Sequence, residues 1–261
     1  MGIGGQRCGT TWLFHHLNRH PDISFPAGKE THFWNGHRRV TLDEWLAGFP
    51  DRPPPVKQGE ITPAYATLPA DTVARVHDAV PDVRLFFCIR NPLERAWSAS
   101  VMQAARYGTD LGATADEWFL KQFRSEGWRR RGDFSGTVAR WRAAFGPGPL
   151  HLIVFDDLVD HPRAVLVDLA RHLGVDPAPF DDPPDGDLGV AVRPASYEES
   201  ALDTGRRPTL PPGLLAPLLE LHHDEITRLS TLLDRDLSHW LAWDGTSTAS
   251  PVPTTSGGRT T

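Results

Sequence analysis

The chain has 261 residues, of which 39% are hydrophobic and 23% are charged, and its formal net charge is −6 at pH 7. This length can bury one large core, so a single domain is expected. The net negative charge argues against a nucleic-acid partner. The two cysteines, Cys8 and Cys88, show neither a disulfide framework nor the spacing of metal ligands, which predicts reduced thiols and a cytoplasmic protein without a metal site.

Membrane association is not expected, because apolar runs such as Leu85–Ile89 are far too short to span a bilayer and no signal peptide precedes the first motif. Residues 245–261 contain almost no apolar side chains, so we expect a disordered tail. The predicted domain therefore covers residues 1–244.

Strands and helices are predicted to alternate along the chain. A short first strand around Ile3 leads into a helix over residues 11–19, and a short strand over 22–25 follows. Residues 41–49 begin with a capping box, Thr41 and Glu44, and predict a helix that packs Trp45, Leu46 and Phe49 inward. A strand over 56–62 and a helix over 71–80 come next.

The second half of the chain continues the alternation. Apart from Arg84, residues 83–89 are apolar and predict a buried central strand, followed by a helix with Pro92 in its first turn. Helices are also predicted over 133–145, 162–174 and 211–233, with a strand over 150–158. This order indicates an α/β protein with a P-loop-like, mainly parallel central sheet flanked by helices.

The stretch "GIGGQRCGTTW", Gly2 to Trp12, nearly matches the phosphate-binding pattern G-x-x-x-x-G-K-[ST]. Thr10 stands where the lysine belongs, and Arg7 supplies a cation from inside the loop instead. Backbone amides and the helix N-terminus can still surround an anion, which would have a shorter chain than a triphosphate. A glycine-rich turn with a capping threonine is the alternative.

A second candidate anion site lies in "CIRNPLERAWSAS". Arg90 follows the predicted central strand, where ligands bind in parallel sheets, and Ser98 lies on the next helix. A strand-end salt bridge for Arg90 and a self-bonded helix hydroxyl for Ser98 are the alternatives. A third basic spot, "WRRRG" at residues 128–132, is more simply interpreted as a solvated helix end.

Taken together, these motifs resemble the sulfotransferases that use 3′-phosphoadenosine 5′-phosphosulfate (PAPS), in particular the bacterial branch and the heparan sulfate enzymes. The resemblance also includes "NRHPDISF", "KETHFW", "GEITPAY", "RGDFSGTVARW", "LIVFDDLVDHPRAVL" and "LLDRDLSHWL", and it reaches to about Trp243. It implies transfer of a sulfuryl group to a hydroxyl, less readily an amine, of a small molecule or sugar. A metal ion is not needed.

The resemblance also implies the residues that bind the donor. The 5′-phosphosulfate would contact the loop residues Arg7, Cys8, Gly9, Thr10, Thr11 and Trp12, the last through its backbone. The 3′-phosphate would contact Arg90 and Ser98, together with Gly205 and Arg206 in a late loop. Thr204 stands where the heparan sulfate enzymes have a lysine.

The resemblance places the acid–base chemistry in "GKETHFW". Glu30 would be the general base, and His32 would assist it from the same side of an extended segment. Lys29, Glu60 and Tyr65 are candidates for contact with the acceptor. Ordinary structural roles are the alternatives: a surface lysine, a solvated carboxylate, a packing histidine, a strand-end ion pair and a core tyrosine.

Two other functions stay open. An ATP-dependent P-loop kinase is weakened by Thr10 at the lysine position. A non-catalytic nucleotide-binding module is kept open by Ile61, which stands where the heparan sulfate enzymes have a lysine at the reacting centre. The presence of Arg90, Ser98 and Glu30 argues against it.

Overall fold

The computed structural model describes residues 1–37, 39–53, 56–110, 114, 116–181 and 209–246. Within these ranges the strands are β1 (Gly2–Gly4), β2 (Ile23–Ser24), β3 (Lys57–Gln58), β4 (Leu85–Ile89) and β5 (Leu150–Val154). The helices of the first half are α1 (Thr10–Leu17), α2 (Leu42–Ala47), α3 (Ala70–Ala79) and α4 (Pro92–Tyr107), with a 3-10 helix at Pro63–Thr67. Those of the second half are α5 (Asp116–Arg124), α6 (Glu126–Gly132), α7 (Phe134–Phe145), α8 (Phe155–Asp160), α9 (Pro162–Leu173), α10 (Ala178–Asp181), α11 (Pro212–Leu233) and α12 (Ser238–Leu241).

A parallel sheet of order β1-β4-β5 forms the centre of the molecule. Every residue of β4 is buried, as its continuous apolar run predicts, because helices cover both faces of such a sheet. Leu85 pairs with Leu150 and Ile89 with Val154, so the carboxyl ends of β4 and β5 lie side by side. Strands β2 and β3 form a second, short parallel pair. The predicted α/β class and mainly parallel sheet are confirmed.

The helix predictions hold where the sequence has strong local signals. The Thr41 hydroxyl accepts from the Glu44 backbone N–H, and the Glu44 carboxylate accepts from the Thr41 backbone N–H. These two bonds complete the predicted capping box. Helix α4 begins at Pro92, and Gly174 ends α9 in the left-handed conformation that glycine favours. Val138, Trp141 and Phe145 of α7 point into the core.

Several predicted elements are wrong in extent or orientation. The strand after Leu150 ends at Val154, and "FDDLVD" is helix α8. The predicted strand over 56–62 is reduced to Lys57–Gln58. Leu46 of α2 is exposed, since Trp45 occupies the inward face of this short helix. Helices α5 and α6 were not predicted, because charged residues interrupt their apolar spacing.

Candidate functional site

The loop between β1 and α1 reverses the chain in five residues. Arg7 and Gly9 both adopt left-handed backbone conformations, with φ of 69° and 88°. Gly4 has a φ of 140°, and a Cβ at this position would lie 2.9 Å from the carbonyl oxygen of Pro63, so the loop requires a glycine here. Among the residues that the structure describes, no side chain caps α1. The first amides of this helix, at Thr10 and Thr11, therefore point toward the loop without a side-chain acceptor, which suits an anionic group.

Arg7 links the loop to helix α4. Its Nε donates to the Ser98 hydroxyl at 3.0 Å, and its Nη1 lies 3.7 Å from the sulfur of Met102. The carbonyl oxygen of Arg7 accepts a bond from Nη1 of Arg90 at 3.0 Å. The two anion sites predicted from separate motifs are therefore adjacent in the fold, with Arg7 in contact with both Arg90 and Ser98.

Arg90 is also held in a buried ion pair. Its Nε lies 3.0 Å and its Nη2 2.9 Å from the same carboxylate oxygen of Glu94, one helical turn further on. The Phe155 ring covers one face of the guanidinium, 4.2 Å from its centre. This pairing is the alternative that the sequence left open for Arg90. The spacing of four residues between an arginine and a glutamate was the signal for it.

Two of the residues predicted to bind the donor, Cys8 and Trp12, have buried side chains. The Cys8 side chain is fully buried, and burial raises the pKa of its thiol to about 11 despite the nearby cations of Arg90, Arg95 and Arg7. Cys8 is therefore a neutral packing residue. The Trp12 ring is buried and packs against the imidazole of His16, 4.2 Å between ring centres.

The predicted acid–base residues form a cluster. The Glu30 carboxylate contacts the Lys29 ammonium with one oxygen, and its other oxygen lies 3.2 Å from Nε2 of His32. Nδ1 of His32 lies 3.1 Å from the amide nitrogen of Asn35. Each of these three side chains is partly open to solvent, so the cluster is accessible to a ligand.

The cluster forms by a different route from the one predicted. His32 has a φ of 55°, so the segment is not extended at this residue. The left-handed turn brings the imidazole back onto the carboxylate two residues earlier. The fold also places this loop beside the central sheet, since the Lys29 carbonyl accepts from the Ile61 N–H at 2.7 Å and Ile61 bridges to Gly2 of β1.

Glu60 and Tyr65, the other two residues predicted to contact the acceptor, belong to a buried hydrogen-bond network. Both are buried, at 1% and 0% exposure. The Glu60 carboxylate accepts from the Thr31 N–H at 3.1 Å, the Thr31 hydroxyl at 2.6 Å, the Thr62 hydroxyl at 2.7 Å and the Tyr65 hydroxyl at 3.1 Å. Burial and the Glu60 charge raise the pKa of Tyr65, which stays a neutral donor. These residues fix Thr31, which lies between Glu30 and His32.

The remaining sequence candidates are structural or undescribed. Asp156 accepts from Nε1 of Trp240 at 2.7 Å and lies 2.9 Å from the His239 ring, while Asp157 binds Arg235 at 2.7 Å. They anchor the segment that follows α11. Gly205, Arg206 and residues 247–261 of the predicted tail lie outside the described residues.

Two general findings apply to the described part of the chain. None of its helices is long and apolar enough to cross a bilayer. Nor do its histidine, cysteine, aspartate and glutamate side chains form a group of three or more that could hold a metal ion.

Comparison with solved structures gives two similar chains. A sulfotransferase from Alicyclobacillus acidocaldarius superposes with a TM-score of 0.65 at 26% identity, over 91% of this chain and 96% of that one. The sulfotransferase domain from the curacin biosynthetic pathway shares the fold, with a TM-score of 0.53 at 17% identity over 90% of this chain and 97% of that domain.

Curated relatives align over shorter stretches. The membrane-associated sulfotransferase kil1 of Dictyostelium discoideum is 30% identical over 37% of this chain, and the mouse heparan sulfate glucosamine 3-O-sulfotransferase 6 is 32% identical over 37%. The mouse bifunctional heparan sulfate N-deacetylase/N-sulfotransferase 4 is 26% identical over 67%. The alignments span 21%, 28% and 22% of the lengths of these three proteins, respectively.

A family model for the sulfotransferase family matches residues 45–182, more than half of the chain. The matched region contains β4, Arg90, Ser98, Glu60 and Tyr65, and it begins after the loop of Arg7 and the cluster of Glu30. From this match the chain belongs to the sulfotransferase family.

Proposed function

We propose that this protein transfers a sulfuryl group from PAPS to a hydroxyl group of a small molecule or sugar. The observation that carries the proposal is the contact between Arg7 and Ser98, 3.0 Å from Nε to the hydroxyl oxygen. It joins the loop at the end of β1 to the helix that follows β4. A nucleotide with phosphates on both its 5′ and 3′ oxygens needs two such neighbouring anion sites.

The chain's own groups suit the charged parts of this donor. The uncapped N-terminus of α1 offers amides to the 5′-phosphosulfate, and Arg7 brings a cation to the same loop. The Ser98 hydroxyl and the Arg90 guanidinium would hold the 3′-phosphate, with Arg90 oriented by Glu94. When bound, the donor supplies the sulfuryl group.

Glu30 would act as the general base. Its carboxylate would take the acceptor hydroxyl proton while the acceptor oxygen bonds to sulfur and the bond from sulfur to the phosphate oxygen breaks. Lys29 and His32 contact this carboxylate and would hold it in a fixed orientation. Arg7 and the loop amides would stabilise the negative charge that develops on the departing phosphate oxygen.

The proposed acceptor class follows from the family. One of the mouse relatives is named for 3-O-sulfation of a glucosamine in heparan sulfate, which is transfer to a sugar hydroxyl. Ile61 is buried, at 0% exposure, where that group of enzymes has a lysine. The reacting centre here would accordingly rely on Arg7 and Lys29 for its positive charge.

Titration with 3′-phosphoadenosine 5′-phosphate, the desulfated product, tests the donor site. In EDTA we expect saturable binding by the wild type, weak binding of ATP, and loss of binding in Arg90→Ala. Arg171→Ala is the matched control, because Arg171 is an exposed arginine on α9 paired only to Asp168 among the described residues. A preference for Mg²⁺–ATP would favour a P-loop kinase instead. If neither nucleotide binds, a non-catalytic module remains.

Replacement of Glu30 by glutamine tests the base. The rate of sulfuryl transfer should fall about 10²–10⁴-fold while binding of 3′-phosphoadenosine 5′-phosphate stays unchanged. Glu44→Gln is a control at an exposed glutamate on α2. An E30Q protein with full activity would exclude this role for Glu30.

A further inference from the structure

A cavity of about 440 Å³ opens between α6 and α11, and neither Arg7 nor Glu30 is among the residues that line it. We call it the α6–α11 cavity. Its wall consists mostly of charged side chains and includes four arginines; the lining residues are Arg124, Glu126, Arg129, Arg130, Gly132, Asp133, Leu221, His222, Glu225 and Arg228. Part of this wall is the "WRRRG" segment, for which a solvated helix end is the simpler interpretation from sequence.

The acidic groups of the wall are already compensated. Glu225 is buried and accepts from the Ser135 N–H and hydroxyl, both at 2.7 Å, and from Nη2 of Arg228 at 2.8 Å. Asp133 faces Arg140, and Glu126 faces Arg130, at 3.6 and 3.9 Å. These pairs neutralise the three carboxylates of the cavity with cations from the fold.

Two cations of the wall remain uncompensated. The side chains of Arg124 and Arg129 make no hydrogen bond or ion pair with the residues that the structure describes. Both side chains are exposed at the cavity. Each arginine carries a planar set of N–H donors that matches the oxygens of a phosphate or sulfate. The wall therefore offers two guanidinium groups whose donors can bind such an anion.

A further unsatisfied cation lies behind the wall. Arg95 of α4 is 1% exposed, and neither its Nε nor its Nη1 has a hydrogen-bond partner among the described residues. Its guanidinium lies 5.6 Å from the ring centre of Trp128 in α6. Burial lowers the pKa of His222, a residue of the wall, and the charges of Arg95 and Arg129 lower it further, to about 4. His222 is therefore neutral near pH 7 and adds no further repulsion to this excess of positive charge.

We propose that the α6–α11 cavity binds a tetrahedral oxyanion group, phosphate or sulfate, through Arg124 and Arg129. This site would be separate from the loop at the end of β1. It would also be connected to that loop, since Nη2 of Arg130 donates to the Thr67 carbonyl at 2.8 Å and Arg140 donates to the Ala66 carbonyl at 3.0 Å. The 3-10 helix that carries these carbonyls continues into the Glu60 network.

Calorimetric titration of the full chain with sodium sulfate and sodium phosphate, at constant ionic strength set by chloride, tests the proposal. We expect both anions to bind the wild type, and the affinity to fall at least about tenfold in Arg124→Gln/Arg129→Gln, which corresponds to about 1.4 kcal/mol. Arg75→Gln/Arg163→Gln removes the same charge from two exposed helical arginines elsewhere and should bind like the wild type. The melting temperature of each variant checks that it is folded.

The outcomes separate this site from the donor site and identify the source of the anion. The proposal would be overturned if the wild type bound neither ion. It would also be overturned if both double variants lost affinity equally, or if only Arg90→Ala lost affinity. Glucose 6-sulfate and glucose 6-phosphate form a second arm: binding tighter than the free ions indicates an esterified ligand, and equal binding indicates a free anion. Because no step requires sulfuryl transfer or nucleotide binding, the result is independent of the proposed function.

Discussion

Replacing Glu60 by alanine tests whether this buried carboxylate holds the loop that carries Glu30. The change removes the acceptor of four bonds, two of them from Thr31 and one each from Thr62 and Tyr65. The hydroxyls of Thr31 and Tyr65 lie 3.0 Å apart and can still bond to each other. The Thr31 N–H has no such substitute.

The expected cost follows from these contacts. A buried donor left without an acceptor costs roughly 1–3 kcal/mol, and hydrogen bonds to a charged group are stronger than average. Removal of the charge also relieves the cost of burying it, which offsets part of the loss. We therefore expect the free energy of unfolding to fall by about 3 kcal/mol, or a drop in melting temperature of roughly 6–12 °C for a domain of this size.

Thermal denaturation followed by circular dichroism measures this drop. Glu220→Ala is the control, because Glu220 is exposed on α11 and its loss should change stability by less than about 0.5 kcal/mol. Glu60→Gln keeps the shape and one acceptor oxygen, so it should fall between the two. A melting temperature for Glu60→Ala within about 2 °C of the control would refute the positioning role of Glu60.

Three further predictions concern other parts of the fold. Asp156→Ala should lower the free energy of unfolding by about 2 kcal/mol in a urea titration, because it orphans the buried indole N–H of Trp240, whereas Asp160→Ala at an exposed position should not. The pKa of His222 in the folded protein, about 4, lies below its ordinary value of 6.5. Burial of the neutral imidazole therefore contributes fully to the free energy of unfolding above pH 6.5, and this contribution is lost as pH falls toward 4. The loss is about 3 kcal/mol, and melting temperatures at pH 7 and 4.5 should differ less in a His222→Leu protein than in the wild type. Gly9→Ala should lower the melting temperature by a few degrees, since it forces a side chain into a φ of 88°, and an unchanged value would contradict the strain.

Local signals in the sequence were sufficient for much of the fold. The apolar run of β4 identified the buried strand, because residues covered on both faces need no polar alternation. Thr41 and Glu44 marked the start of α2, since a capping box depends on two residues three apart. The loop motif and the residues after β4 could likewise be placed at strand ends, where parallel sheets bind ligands.

The sequence alone therefore determined the α/β class, the positions of most helices and the residue types available to the site. Only the tertiary structure decided which of those residues touch. Glu60 meets Thr31 across 29 positions of chain and Asp156 meets Trp240 across 84, and burial at each contact depends on elements that no local pattern connects. The same reason explains why Glu60 and Tyr65 became supports of the Glu30 loop: a carboxylate in the interior must satisfy its oxygens there, and three hydroxyls and an amide surround this one.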